Sequence, residues 1–151
     1  MASGWTNRGK YNLLAMYRGG SMPANFYMRL FTSAATPDAD SNTAADLTEI
    51  ADGNGYTQGT GYTVNLDATD FDTITEDDGN DRALVQLKDL VFTAAGGNLP
   101  SGGDGARWAC VLGATGAAGE IWHFFDLVSD RTVSTGQTLT LQDCELRLDA
   151  P

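Results

Sequence analysis

Residues 67–81 hold Asp67, Asp70, Asp72, Glu76, Asp77, Asp78 and Asp81, a density of carboxylates found nowhere else in the chain. Hard carboxylate oxygens at close spacing are what calcium requires, so Asp70, Asp72, Asp77, Asp78 and Asp81 are candidate metal ligands. An EF-hand is excluded, because a register centred on Gly79 would put Ile74 at the first ligand position and Val85 at the last. The competing expectation is a solvated acidic loop, or one that meets basic residues of another subunit. Paired carboxylates also run glycoside hydrolysis, but spacing along the sequence does not set the separation that reaction needs.

Other reactive side chains are sparse. His123 is the sole histidine and lies inside the most apolar run, Glu120-Ile-Trp-His-Phe-Phe-Asp-Leu-Val128, which favours a core or interface role over a general base. Cys110 and Cys144 do not combine with it into the short ligand pairs of a zinc site. They read as buried free thiols, with a bridge between them open if their strands are neighbours. The chain has no Gly-x-Ser-x-Gly elbow and no Gly-Lys-Ser/Thr phosphate loop. A non-enzymatic protein without a cofactor is expected.

Charge is sorted along the chain. Residues 1–37 carry Arg8, Lys10, Arg18 and Arg29 and no acid, whereas residues 38–81 carry twelve acids and no base. The net charge of −11 argues against nucleic acid or a free anionic lipid surface as partner, since both demand clustered cations. The basic leading segment is instead suited to a protein neighbour. Arg8, Lys10, Tyr11, Tyr17, Arg18 and Arg29 are its candidate contact residues.

These residues need elements to place them. Leu13, Leu14 and Tyr17 have helical spacing and the pattern stops at Gly19-Gly20, so a short helix or structured arm is expected within residues 1–24, ordered mainly by contact with a neighbour. Residues 25–151 form the second unit. Phe26-Tyr-Met-Arg-Leu-Phe-Thr reads as the first strand, and residues 56–66 as a glycine-bent strand. Strand-like runs follow at 83–92, 106–112, 120–128 and 138–148, the last with a phase slip at Gln142-Asp143 that implies a bulge. Seven or eight short strands with Gly-rich turns predict an all-β antiparallel sandwich or jelly roll. No apolar run has the length of a membrane span, and the N-terminus lacks the apolar core of a signal peptide, so synthesis in a cytoplasm is expected.

Phe26-Tyr-Met-Arg-Leu-Phe-Thr, then Asp46-Leu-Thr-Glu-Ile-Ala-Asp-Gly-Asn-Gly-Tyr56-Thr, resembles the opening of a family of small tailed-bacteriophage virion proteins. Val91-Phe-Thr-Ala, Ala106-Arg-Trp-Ala, Phe124-Phe-Asp-Leu-Val-Ser-Asp-Arg131 and Val133-Ser-Thr-Gly-Gln-Thr-Leu-Thr-Leu141 extend the similarity over roughly residues 25–148. The resemblance implies a structural protein of the phage particle. A small acidic domain without a stalk is similar to capsid decoration (cement) proteins, which implies the major capsid protein as partner, a homotrimer and a place in the virion. A tail or fibre domain, or a carbohydrate-binding module using Trp5 or calcium in the acidic loop, are the alternatives.

Overall fold

In a computed structural model, which describes residues 3–149, the first element is a strand, β1 (Ser3–Trp5), followed by the helix α1 (Asn7–Tyr17). Next come β2 (Phe26–Phe31), a 3-10 turn (Ala44–Asp46), β3 (Tyr62–Val64), β4 (Thr75–Asp77), β5 (Arg82–Gln86) and β6 (Leu90–Thr93). The chain then runs through β7 (Ala106–Leu112), β8 (Ile121–Arg131), β9 (Thr138–Leu141) and β10 (Glu145–Asp149). All pairings between these strands are antiparallel.

A five-stranded sheet in the order β1-β8-β7-β2-β3 forms one layer. Its inner face presents Met28, Leu30, Ala109, Val111 and Phe125 to a core shared with a two-stranded sheet, β6-β9, and a three-stranded sheet, β10-β5-β4. In β6 and β9 the alternation is clean: Leu90, Phe92, Leu139 and Leu141 are buried and their neighbours exposed, as a sheet with one wet face requires. The outer face of the large sheet is apolar too, with Phe31, Trp108, Cys110, Leu112, Ile121 and Phe124. Ala44 and Leu47 of the long β2–β3 connection pack over it and complete a second core. Burial on both faces explains why the first half of β8 is apolar on both parities.

The all-β antiparallel sandwich expected from the sequence is present, with ten strands among the described residues rather than seven or eight. Two of the differences come from runs that change sheets. Residues 83–92 divide into β5 and β6, and residues 138–148 divide into β9 and β10. The phase slip at Gln142-Asp143 is therefore a crossing between sheets instead of a bulge, with Asp143 at φ +54 making the corner. Residues 56–66 contribute only the three residues of β3 to a strand.

The N-terminal segment is not an arm awaiting a neighbour. β1 pairs with β8 through Ser3↔Phe125, Gly4↔Phe124 and Trp5↔His123, and Trp5, Leu13 and Met16 pack against the main core. Sequence periodicity missed this because a three-residue strand carries no pattern of its own.

Candidate interaction surface

Thr6 fixes where α1 begins. Its buried Oγ1 accepts the Gly9 amide at 2.9 Å, capping the helix, and donates to the Ile121 carbonyl of β8. Gly9 then lets the helix lie against the sheet: a Cβ there would fall 2.2 Å from the Trp122 carbonyl oxygen. At the other end the Gly20 amide donates to the Ala15 carbonyl and the Gly19 amide to that of Met16, with Gly19 at φ +93. That is a Schellman closure, and it places the predicted Gly19-Gly20 stop where the sequence put it.

With one side committed to the sheet, α1 presents the other to solvent. Lys10, Tyr11, Leu14, Tyr17 and Arg18 share an arc of roughly 120° at about 100° per residue. Tyr11, Leu14 and Tyr17 are 62%, 68% and 93% exposed, a concentration of apolar surface that ordinary solvation does not call for. Neither Lys10 nor Arg18 forms an ion pair among the described residues. Arg8 flanks the arc, its guanidinium 5.4 Å from the Tyr11 ring centroid and 3.6 Å from Glu120. The structure thus brings together five of the six candidate contact residues and adds Leu14, which the sequence reading assigned to the helix pattern alone.

The sixth, Arg29, is a correction. It is 2% exposed, on the outer face of β2, and its guanidinium clasps Glu49 through Nε at 3.0 Å and through Nη2. Its Nη1 donates to the Gly116 carbonyl at 2.7 Å. Glu49 also accepts from the Tyr56 hydroxyl at 2.6 Å and from the Gly59 amide at 3.0 Å. Burial, followed by the Glu49 charge, pushes the Tyr56 hydroxyl well above its ordinary range, so it stays a donor. A charge buried this deeply and fully satisfied ties loops to the sheet and is closed to a partner.

The proposed calcium ligands do not converge. Asp70 is buried and accepts from the Asn65 amide at 2.7 Å, the Asn65 side chain at 2.8 Å and the Tyr62 hydroxyl at 3.1 Å, which closes the turn after β3. Asp77 pairs with Arg82 at 2.8 Å; the Asn80 side-chain hydrogen bond, then that of Arg82, holds its carboxyl below the ordinary range. Asp72, Asp78 and Asp81 are exposed. Among the described residues no three His, Cys, Asp or Glu side chains are placed to hold a metal. Sequence proximity gathered these acids, but Asp70 turns inward before β4, Asp77 is taken up by Arg82 and Asn80, and the rest stand apart at the surface.

The remaining chemistry-bearing groups are held by packing. His123 is buried, and burial first, then the Arg147 charge, lowers its pKa to about 4, so it is neutral at pH 7. Cys110 and Cys144 are free and buried, one in each core. Burial drives both thiols up, Cys144 to about 12. Trp5 donates its Nε1 hydrogen to the Arg147 carbonyl at 2.8 Å and meets His123 edge-on, so it is no free platform for a sugar.

A groove of about 660 Å³ opens between the N-terminal segment and the β10-β5-β4 sheet, with Trp5, Leu13 and His123 on one wall and Val85 and Leu146 on the other. Met22, Leu66, Ile74 and Leu148 form its exposed apolar lip. None of these four stood out in the sequence, where each is a lone apolar residue among polar neighbours. Compared with known proteins, the chain matches no protein-family model, no curated protein and no solved structure.

Proposed function

We propose that this chain is a non-enzymatic structural protein of a tailed-phage particle, a cement protein that covers the major capsid protein and bonds to neighbours in the surface layer. The exposed Tyr11–Leu14–Tyr17 stripe flanked by Lys10 and Arg18 carries the proposal, because none of the described residues of its own chain covers this apolar and cationic face. The biological setting is the one implied by the resemblance read in the sequence over residues 25–148. The chemistry agrees: the single histidine is buried and neutral, both thiols are buried, and the acids are dispersed or engaged.

Purified heads tested for this chain would contain it at a copy number comparable to that of the major capsid protein. Heads stripped of it would burst at lower temperature or under milder osmotic shock. A copy number in the tens, with antibodies labelling tails, would move the protein to the tail.

A further inference from the structure

Resting on the reading of a surface-layer protein, we propose that the groove receives the outward face of α1 from a second copy of this chain, joining copies head to tail. Two surfaces left open on one molecule fit each other in kind. The donor face is apolar at Tyr11, Leu14 and Tyr17 and cationic at Lys10 and Arg18. The acceptor groove is apolar at its lip, with Ile74 73% and Leu148 53% exposed, and Asp67 and Asp72 stand in its wall. Glu76, Asp78 and Asp81 are exposed on β4 and its turn, outside the groove lining, while Lys88 within the lining donates to the Ala68 carbonyl and lies close to Asp67. Lys10 and Arg18 of the basic segment and Asp67 and Asp72 of the acidic one thus stand on two patches of opposite charge.

Geometry within one chain forbids self-filling. Leu13, on the inner side of α1, already lines the groove, whereas Tyr11 and Leu14 lie about 160° and 100° round the helix from it and Tyr17, one turn on, is 93% exposed and outside the lining. Donor and acceptor are different patches, which makes the contact heterologous: it closes into a ring when the rotation permits and otherwise runs on as an open array.

Heterologous contacts have a distinctive test by complementation. The donor variant Leu14→Asp/Tyr17→Asp and the acceptor variant Ile74→Asp change only exposed side chains, and circular dichroism verifies their folding. The wild-type chain is expected to sediment as an oligomer and each variant as a monomer. Their equimolar mixture is expected to give a one-to-one dimer and nothing larger, since one intact groove meets one intact helix face and both remaining patches are dead. Lys10→Glu/Arg18→Glu should weaken assembly at least tenfold, with the loss masked at high salt. A monomeric wild type, unimpaired assembly of either variant, or a mixture that stays monomeric would overturn the proposal. The two readings fail separately. Complementation by a chain absent from purified heads would refute only the virion role, and stoichiometric uptake of a strictly monomeric chain by heads would refute only the groove contact.

Discussion

Arg29 and Glu49, twenty residues apart in sequence, form a two-pronged ion pair inside the fold, with side chains only 3% and 8% exposed. Removing one member leaves the other charged and dry. Glu49→Ala should therefore lower stability by about 3–5 kcal/mol, read from the denaturant midpoint. Arg29→Met should cost a similar amount, because it strands a carboxylate that Tyr56 and Gly59 alone must then satisfy. A loss below about 1 kcal/mol in both would show that the pair is not the tie described above.

Gly9→Ala tests how α1 is seated. Its Cβ would meet the Trp122 backbone, which is part of β8 and has no room to yield. Although alanine favours helix in isolation, the steric conflict wins, and the variant should lose about 1–3 kcal/mol. Ala15→Gly, on a less buried part of the same helix, supplies the propensity-only comparison.

Acid should destabilise the protein through His123. Its folded pKa is about 4 against 6.5 for the ordinary group, so the unfolded chain binds the proton first. The contribution is fully present above pH 6.5 and is lost as the pH falls towards 4, by about 3 kcal/mol in all. His123→Gln should flatten the stability profile across that window whatever its absolute stability. Asp77, whose carboxyl is held low, adds stability that is fully present above the ordinary carboxylate range and fades only at more acidic pH, as it protonates.

Both thiols should be silent towards a thiol-specific reagent in the native protein at pH 8 and react fully in denaturant, two per chain. Burial both blocks access and disfavours the thiolate. Rapid labelling of either cysteine under native conditions would place it outside the core.

Much of the fold was legible because its signals are local. The stop at Gly19-Gly20 and the apolar runs that became β2, β7 and β8 need only neighbouring residues to be read. What escaped depends on distant partners. Nothing near Leu87 or Leu141 announces that the chain is about to change sheets, and the Asp143 corner left only a shift of parity. Charge misled at Arg29 for the same reason: averaged along the sequence it belongs to a basic arm, but folding sets it against Glu49. The acidic stretch looked like a ligand set since its acids are close in sequence, yet Asp77 is taken up by Arg82 and Asn80 and Asp70 turns inward to hold its own loop.

Surface truncation on α1 should divide stability from association. Tyr17→Ala and Leu14→Ser remove side chains that touch little within the chain, so each should leave the denaturant midpoint within about 0.5 kcal/mol of wild type. On the proposed role as a head cement, capture by phage heads lacking the protein should nonetheless fall severalfold. Equal losses in both measurements would make the stripe part of the fold.

The proposed place on a phage head is most directly tested by a cryo-EM map of heads assembled in the presence of this chain. The account predicts a repeated layer of β-sandwich density on the outside of the head, with the face of α1 that bears Tyr17 buried against an adjacent molecule. A head surface bare of that density, or an α1 whose outer face looks onto solvent in every copy, would contradict it.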